Sequence, residues 1–347
     1  MNLGSIKRGS NVFFALLQAN IFKKRVPVKV ALQLTTRCNL KCSYCYVNYS
    51  NYKQIKEINK NQWFKTIDEL YSYGTRWLWF LGGEPILQKG LGEIIDYAKK
   101  KGMFCELNTN GILISEKNIS ILKKLDAMAV SIDGDEKSND YYRGEGSYKK
   151  AINVVKLLKE AGVNVRIHSI LTRRTAKTLD NVAELYKRMG VSFSFCDVLK
   201  SKKDTDHILS FKEHKKFYTK YLDYMKKGYP IIHSDQAIEY MINWPNEGKS
   251  TIPKNQAFRF SKNSYVNCVS GDLQCFYDAD GKIYACNGTW DKGLDLKKVG
   301  FMKAWDYLKE RDCVSCRCMG MADLHLLLGL NIKSVFYGVK SVLNLKA

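Results

Sequence analysis

The sequence predicts an α/β protein in which a partial barrel of six consecutive βα units is followed by a small cysteine-rich α+β domain. From residue 28 to about 200, short β-rich runs alternate with longer runs of helical period, the pattern of a parallel sheet. Six cysteines then occur between residues 268 and 318, around two strand-like segments. A chain of 347 residues exceeds the usual size of a single core, which favours a second unit.

The elements of the barrel follow one another in order. The predicted strands are VKVALQLTT, RWLWFLGG, MFCELNTNG, AMAVSIDG, VNVRIHSILT and VSFSFCDVL. The helices between them are NQWFKTIDELYSYG, LGEIIDYAKKKG, SEKNISILKKL, SYKKAINVVKLLKEAG and LDNVAELYKRMG. In barrels of this type ligands bind at the carboxyl ends of the strands, so we expect the functional residues there.

Changes in composition divide the chain into five segments. The second half contains a Lys- and Tyr-rich helix, which we predict to lie on the surface, and a hairpin, LQCFYDADGKIYAC, which turns at Asp280-Gly281. The predicted segments are a basic N-terminal arm (1–27), the barrel (28–200), a helical linker (201–262), the cysteine-rich domain (263–320) and an amphipathic basic tail (321–347).

Charge and composition restrict the partners and the compartment. The formal charge is +22, and no Asp or Glu precedes Glu57, so we expect attraction to a polyanion: nucleic acid, an anionic membrane or an acidic peptide. Neither a signal peptide nor a run of about 20 apolar residues is evident. We therefore predict a cytoplasmic protein with free thiols, able to lie peripherally on the inner face of the membrane.

The segment TTRCNLKCSYCYVN places Cys38, Cys42 and Cys45 just beyond the first strand. Thiolates bind zinc or iron–sulfur clusters, and a closed structural site needs four ligands. Three in one loop indicate either a fourth ligand from elsewhere or a metal edge left open for chemistry. A zinc knuckle and simple packing are the alternatives.

This CxxxCxxC spacing, with Tyr44 before the last cysteine, resembles that of the radical S-adenosylmethionine enzymes. The GGEP segment, Gly82, Gly83, Glu84 and Pro85, is similar to the family's segment for the methionine amino group, and it follows the second strand. The resemblance implies a TIM-type partial barrel. It also implies a catalytic [4Fe-4S] cluster on the three cysteines, whose open iron binds S-adenosylmethionine, with Tyr44 near the adenine. An electron from a flavodoxin or ferredoxin type of donor would then give a 5′-deoxyadenosyl radical that abstracts hydrogen from a substrate.

Polar residues after the third and fourth strands agree with that family. Asn108 and Asn110 follow the third strand, and Ser131 and Asp133 follow the fourth. By resemblance these residues contact the ribose and methionine of the cofactor, and Arg143 contacts its carboxylate. Each residue taken alone is better explained as a turn or cap residue than as a ligand.

A second group of thiols can close a four-ligand site. Cys268 and Cys286, around the hairpin, combine with a CxxC formed by Cys313 and Cys316. This arrangement resembles the Twitch domain, the shorter relative of the SPASM extension, and implies one auxiliary [4Fe-4S] cluster, with zinc as the alternative. The sequence also offers two substitute ligands, Cys275 and Cys318, and three residues to which we assign no chemistry, Cys105, Cys196 and His168.

The substrate is not evident from the sequence. The C-terminal segment NIKSVFYGVKSVLNLKA is amphipathic, basic and free of acids, so it packs on its own domain or lies in a membrane interface. We expect a lipid or other membrane-associated substrate, with peptide maturation or small-molecule dehydrogenation as alternatives. A non-catalytic iron–sulfur or zinc protein that binds RNA through the Lys and Tyr residues of 211–230 is a remote alternative, which makes nucleic acid an unlikely partner.

Overall fold

The computed structural model describes residues 3–45, 55–198, 207–289 and 293–342. Residues 201–206 of the predicted linker and Leu343 of the predicted tail helix lie outside these ranges. The strands are β1 Lys29–Gln33, β2 Trp77–Leu81, β3 Phe104–Thr109, β4 Ala127–Ser131, β5 Val165–Leu171, β6 Phe193–Asp197, β7 Thr251–Pro253, β8 Gln274–Tyr277, β9 Lys282–Tyr284, β10 Leu294–Asp295 and β11 Cys313–Cys316. The helices are α1 Leu3–Ile21, α2 Lys60–Ser72, α3 Leu91–Lys100, α4 Glu116–Leu122, α5 Glu136–Arg143, α6 Ser147–Glu160, α7 Leu179–Met189, α8 Phe211–Lys226, α9 Asp235–Ile242, α10 Leu296–Val299, α11 Phe301–Tyr307, α12 Met319–Leu328 and α13 Ile332–Val342.

The main sheet confirms the predicted fold class. Strands β1 to β6 are parallel neighbours in chain order, as expected of a partial barrel of βα units. The hairpin of the cysteine-rich region continues the same sheet, because β8 pairs in parallel with β1, with Lys29 opposite Gln274. Strands β9 and β10 extend that edge in antiparallel fashion. The cysteine-rich region is therefore joined to the barrel through the backbone of its first strand.

Strand alternation divides the side chains into two faces. On β1, Val30 and Leu32 lie in the large apolar core that the strands share with the surrounding helices. Ala31 instead contacts a small group on the inner side of the sheet, with Leu81, Phe276 and Tyr284. Lys29 and Gln33 share the face of Ala31 and thus point into the barrel. We call this inner space the lumen.

The floor of the lumen holds a buried ionic group. Glu106 accepts from Lys29 at 2.9 Å and from Arg166 at 3.0 Å, and its side chain is 3% exposed. The ammonium of Lys29 lies over the rings of Trp77 and Trp79, at 3.8 and 4.5 Å from their centroids. These contacts satisfy charges that would be very costly if they were left unpaired in the interior.

Replacing Glu106 by glutamine is expected to lower the free energy of unfolding by about 3–5 kcal/mol, because the buried Lys29 and the partly buried Arg166 lose their counter-charge. Burial alone would raise the pKa of Glu106, but Lys29 and Arg166 hold it below its ordinary value of 4.5. The stabilisation is therefore present at neutral pH and is lost as the pH falls through that lowered pKa. Denaturant titration measures the loss. The matched control is Glu93→Gln, which removes an exposed pair with Lys60 and should cost under about 1 kcal/mol; equal losses would contradict the prediction.

Helix α1 occupies the segment that the sequence analysis describes as a basic arm. Its buried residues Val12, Leu16 and Ala19 pack under the barrel. They contact residues at the amino ends of strands, including Phe104 and Ala127, which begin β3 and β4. The side chain of Asn11 donates to the carbonyl of Gly102, and Arg8 pairs with Asp126 at 2.8 Å; both partners also precede these strands. Helix α1 therefore closes the end of the barrel opposite the carboxyl ends of the strands.

The Lys- and Tyr-rich helix, α8, exposes its lysines on one face and buries its aromatic residues on the other. Tyr218 and Tyr221 are 0% exposed, and Phe217 and His214 are buried beside them. His214 contacts Asp197 at the end of β6, at 2.9 Å. These aromatic rings cannot stack on bases, so α8 gives no support to the RNA-binding alternative. Among the helices that the structure describes, none is both long enough and apolar enough to span a membrane.

Candidate functional site

The cysteine loop, residues 35–45, leaves the carboxyl end of β1 and is fastened at its start by Glu57. One oxygen of Glu57 accepts from the Thr35 hydroxyl at 2.8 Å, the Thr36 amide at 2.7 Å and the Thr36 hydroxyl at 2.8 Å. Further along, the Cys45 amide donates to the Cys42 carbonyl at 3.1 Å, which forms a turn between the last two cysteines. The loop is thus held at both its base and its tip.

The GGEP segment, residues 82–85, is hydrogen-bonded directly to the cysteine loop. The Gly83 amide donates to the Thr35 carbonyl at 2.7 Å, and the Glu84 amide donates to the Arg37 carbonyl at 2.8 Å. A Cβ on Gly83 would lie only 2.2 Å from the Arg37 carbonyl oxygen. The family resemblance concerns only binding of the cofactor, so it does not predict these two hydrogen bonds between the loops. In the structure, Gly83 allows two neighbouring strand-end loops to touch.

The three cysteines lie among groups that stabilise thiolates. The Leu40 amide donates to the Cys38 sulfur at 3.4 Å, and the Asn110 amide nitrogen lies 3.9 Å from the same atom. Burial raises the pKa of Cys42 to about 11, and the Arg143 guanidinium opposes that rise. Both Cys38 and Cys45 also act electrostatically on Cys42, so the three sulfurs are neighbours.

This donor set fits an iron–sulfur cluster better than a single metal ion. Nowhere in the described ranges do three His, Cys, Asp or Glu side chains converge in a way that could hold one ion. A [4Fe-4S] cluster binds each cysteine at a different iron, so its ligands surround a volume and need not converge on a point. Cys38, Cys42 and Cys45 surround such a space with an amide donor and a cation beside them.

Glu84 is buried next to the cysteine loop. Its carboxylate accepts from the Thr109 hydroxyl at 2.7 Å, the Asn110 amide at 2.8 Å and the Ile86 amide at 3.2 Å. Burial raises its pKa to about 7, although these bonds and Arg143 oppose the rise. Since a carboxylate accepts about four hydrogen bonds, one position is left for a further donor.

Asp133, after β4, holds several predicted cofactor residues together. It is 0% exposed and accepts from the Tyr44 hydroxyl, from Nε of Arg143 at 2.7 Å and from the Ile170 amide at 2.8 Å. Tyr44 also packs its ring against Tyr142, with centroids 5.4 Å apart. Asp133 therefore links Tyr44, near the end of the cysteine loop, to Arg143.

The other predicted polar residues lie at the expected strand ends. Asn110 bonds to Asn39 of the cysteine loop at 2.9 Å, and Asn108 accepts from the indole of Trp79 at 3.0 Å. Ser131 ends β4, level with His168 on β5. Pro85 is buried at the start of a short helical turn that follows Glu84. Each of these residues lies at or just after the carboxyl end of its strand.

Two lumen residues were missed or given no role by the sequence analysis. Gln33 is 2% exposed, and within the described part of the chain neither atom of its amide has a hydrogen-bond partner. Alternation along β1 would have revealed it, because it shares the face of Lys29 and Ala31. His168 faces the lumen and contacts Ser194 at 3.0 Å. Burial and the nearby Arg166 lower its pKa to about 4, so its imidazole is neutral at pH 7.

The thiols of the second group influence one another electrostatically. Burial raises the pKa of Cys313 to about 12, and the nearby sulfurs of Cys268 and Cys286 contribute to the rise. Cys316 is affected electrostatically by the other three sulfurs. Burial would also raise the pKa of Cys268, but His325, 3.8 Å from its sulfur, and Arg311 bring it down to about 7. Four thiols from the hairpin and from β11 thus surround one region.

The remaining cysteines differ in their surroundings. Cys318 lies beside Cys316 and Cys286, so it stays a possible substitute ligand. Cys275 is buried in the large apolar core between the strands and the surrounding helices, which we call the outer core. Burial is the cause of its raised pKa and no other thiol contributes, so Cys275 lies away from the other thiols. Cys105 is buried in the same core, and the Cys196 sulfur lies close to Gly320 of α12. These contexts agree with packing roles for Cys105 and Cys196.

One cysteine of the second thiol group borders the lumen. Cys286 packs against the inner apolar group of Ala31, Leu81, Phe276 and Tyr284, against which Trp79 also packs. Leu81 directly precedes the GGEP segment, so Cys286 contacts the apolar group that borders this segment.

Comparison with known proteins identifies the barrel. The family model for the radical SAM superfamily matches residues 32–191. This match confirms, for that part of the chain, the resemblance inferred from the sequence to a family that uses S-adenosylmethionine and a [4Fe-4S] cluster. It includes the cysteine loop, the GGEP segment and Asp133.

The proteins that are similar to this chain have names that describe different activities. Fe-coproporphyrin III synthase of Methanosarcina barkeri is 33% identical over 173 residues, which are 49% of this chain and 43% of that protein. The mycofactocin maturase MftC of Mycobacterium tuberculosis is 26% identical over 80% of this chain and 70% of its own. The crystal structure of Streptococcus suis SuiB bound to its precursor peptide SuiA superposes with a TM-score of 0.65 at 15% identity, over 84% of this chain and 68% of SuiB. The last of these shows a shared fold.

Proposed function

With a radical SAM domain at residues 32–191, we propose that this chain reductively cleaves S-adenosylmethionine at a [4Fe-4S] cluster held by Cys38, Cys42 and Cys45, and modifies a peptide. The observation that carries the first part is the direct hydrogen bonding of the GGEP segment to a three-cysteine loop. When bound, the cluster and S-adenosylmethionine supply a 5′-deoxyadenosyl radical that takes hydrogen from the substrate. An electron carrier of the flavodoxin or ferredoxin type is the proposed partner.

The chain's own residues bind and orient the cofactor in this proposal. Glu84 accepts from the methionine ammonium through its remaining acceptor position, and Arg143, held at Nε by Asp133, offers its outer edge to the methionine carboxylate. Tyr44 is fixed by Asp133 and borders the adenine. Asn108, Asn110 and Ser131 supply polar contacts from the strand ends. The glycines and Pro85 hold Glu84 against the cysteine loop.

We propose one auxiliary [4Fe-4S] cluster on Cys268, Cys286, Cys313 and Cys316. Its support is the clustering of these four thiols, with Arg311 and His325 beside Cys268 to offset negative charge. Because Cys286 borders the lumen, such a cluster would lie within reach of a substrate held there.

Gln33 favours a peptide substrate. An amide buried with neither atom bonded costs about 1–3 kcal/mol for each group, and a ligand that both donates and accepts removes that cost. A peptide group offers both, with its N–H as the donor and its carbonyl as the acceptor. Gln33 faces the lumen at the carboxyl end of β1, five residues before Cys38, so a peptide bonded to it would lie in the lumen near the start of the cysteine loop. The similarity to MftC, which is named a maturase, extends over four fifths of the chain and agrees with a role in maturation.

An iron tetrapyrrole is a second candidate substrate, and His168 favours it. A neutral imidazole that faces the lumen, with Nδ1 fixed by Ser194, has Nε2 as its other nitrogen, and such a nitrogen can bind iron. The similarity to Fe-coproporphyrin III synthase agrees with it. A lipid or small-molecule substrate has no comparable feature in the lumen, and the exposed apolar helices lie at the far end of the barrel.

The experiment that tests the proposal measures 5′-deoxyadenosine in the anaerobically reconstituted protein with S-adenosylmethionine and dithionite. A peptide fraction from the source cells should stimulate the reaction, and prior digestion of that fraction with protease should remove the stimulation. Stimulation by Fe-coproporphyrin III instead, with a shift of its visible spectrum that His168→Ala abolishes, would favour the second candidate. Absence of 5′-deoxyadenosine under all conditions would reject both.

We expect the affinity of the reconstituted protein for S-adenosylmethionine to fall as the pH is lowered from about 8 to about 6. The pKa of Glu84 is about 7 because of its burial, and only its ionised form pairs with an ammonium. Below pH 7 the affinity should therefore decrease by up to about tenfold per pH unit. Equilibrium dialysis measures this dependence. Glu84→Gln should bind weakly with a flat pH profile, and a variant that binds as the parent does would contradict the assignment.

A further inference from the structure

Helix α1 has an exposed apolar face in addition to its buried one. Leu3, Phe14 and Ile21 are 83%, 59% and 62% exposed. Their spacings of 11 and 7 residues are close to three and two helical turns, so the three side chains form a line. This line lies opposite Val12, Leu16 and Ala19, which pack under the barrel. A helix that is apolar on both sides usually has a partner on each.

Helix α13 extends this apolar surface. Ile332, Phe336 and Val339, at positions i, i+4 and i+7, are 86%, 62% and 50% exposed. The helix contacts both α1 and α12, so its apolar face is close to that of α1. Together these residues form what we call the α1–α13 face: Leu3, Phe13, Phe14, Ile21, Phe22, Ile332, Phe336 and Val339.

The charges around the α1–α13 face are positive. Lys7, Lys23 and Lys24 are exposed on α1 or just after it, and the sequence contains no acid before Glu57. In a symmetric contact between two copies these lysines would approach one another, which disfavours self-association through this face. An anionic bilayer offers both an apolar interior for the rings and phosphate charge for the lysines.

We propose that the α1–α13 face docks on an anionic membrane surface. The mouth of the barrel, which is the end that carries the cysteine loop and Glu84, is then held away from the bilayer. The orientation follows from the fold. Helix α1 lies at the amino ends of the strands, whereas the cysteine loop and Glu84 follow their carboxyl ends. A protein docked in this way receives its substrate from the aqueous side. The inference does not depend on the identity of that substrate.

Binding of the reconstituted protein to vesicles tests the docking. We expect it to sediment with vesicles of phosphatidylcholine and phosphatidylglycerol at a ratio of 7:3, at least tenfold more tightly than with phosphatidylcholine alone, and less tightly as salt is added. The double variant Phe14→Ser/Ile21→Ser should lose at least tenfold in affinity. So should Lys23→Glu/Lys24→Glu. The matched control is Phe258→Ser, which removes a ring that is 82% exposed in the segment after β7 and should bind as the parent does.

Three outcomes would overturn the proposal. One is failure of the parent to bind anionic vesicles, which would leave an acidic protein as the occupant. Another is undiminished binding by the Phe14→Ser/Ile21→Ser variant while its circular dichroism matches that of the parent. The third is a dimer, by light scattering, that this double variant converts to a monomer.

Hydrogen–deuterium exchange tests the orientation separately. Anionic vesicles should slow exchange in peptides from residues 3–22 and 332–342. They should leave exchange unchanged in peptides from residues 35–45 and 84–90, at the mouth of the barrel. Slower exchange at the mouth, with no change in α1, would reverse the orientation and revive a lipid substrate.

Discussion

Replacing Cys42 by alanine is expected to abolish the reductive cleavage of S-adenosylmethionine. Cys42 is the middle ligand of the proposed catalytic site, and its buried sulfur interacts electrostatically with Cys38, Cys45 and Arg143. Two remaining thiolates would not hold a cluster that binds three cysteines. We therefore expect 5′-deoxyadenosine formation to fall by at least about 1,000-fold, because no alternative source of the radical exists in the site.

The iron content of each reconstituted protein serves as a control for the cleavage measurement. The reconstituted parent should hold about eight irons per chain, from two [4Fe-4S] clusters, and Cys42→Ala about four. Cys316→Ala should also hold about four irons while it still cleaves S-adenosylmethionine, because its cluster is the auxiliary one. Cys105→Ala, in the outer core, should match the parent in both respects. A Cys42→Ala protein that matches the parent in cleavage would refute the assignment of the site.

The local parts of the barrel were predictable from the sequence. Each βα unit is a contiguous segment whose hydrophobic period changes from strand to helix, so β1 to β6 could be assigned without knowledge of the rest. The first site shares this property. In a parallel sheet the loop after β1 and the loop after β2 must lie side by side, and this is why Cys38–Cys45 and the GGEP segment could be connected in advance.

The non-local parts were not predictable. Strand β8 pairs with β1 although most of the chain lies between them in sequence. Nothing in LQCFYDADGKIYAC indicates which strand this segment will join. Helix α1 was described as a basic arm because its segment contains basic residues and no acid, and this charge pattern does not show that Val12, Leu16 and Ala19 pack under the barrel. Tyr218 and Tyr221 look like surface residues beside so many lysines, yet the helix buries them on one face. In each case a tertiary contact decides what the local pattern leaves open.

The contacts between site residues required the structure as well. Asp133 is predicted from the sequence to touch the cofactor, and the structure adds a contact role that the sequence does not reveal, because its carboxylate positions Tyr44 and Arg143. The reason for a glycine at position 83 is equally invisible in the sequence. The sequence does not distinguish a glycine that makes room for a ligand from one that makes room for another loop. Only the distance to Arg37 shows which role Gly83 has.

That distance leads to the second large effect, which is expected for Gly83→Ala. A Cβ at this position would lie 2.2 Å from the Arg37 carbonyl oxygen and 2.5 Å from its carbon. Real Cβ contacts are never this short, and the obstacle is backbone, so one of the two loops must move. The hydrogen bonds from Gly83 to Thr35 and from Glu84 to Arg37 would then break or lengthen. We expect cleavage of S-adenosylmethionine to fall by about 100-fold or more, because Glu84 and the cysteine loop lose their alignment.

The loss should come from misalignment rather than from unfolding, and Gly82→Ala provides the comparison. A Cβ on Gly82 would lie 3.1 Å from the Thr35 carbonyl oxygen, a contact that a small shift relieves. Gly82→Ala should therefore keep most of the activity, while Gly83→Ala loses it, with overpacking costing each variant no more than about 1–3 kcal/mol of stability. Activity, iron content and thermal unfolding measured on both variants separate these effects. Equal activities would mean that the loop contact does not align the site, and the 2.7 Å bond from Gly83 to Thr35 would then matter for folding alone.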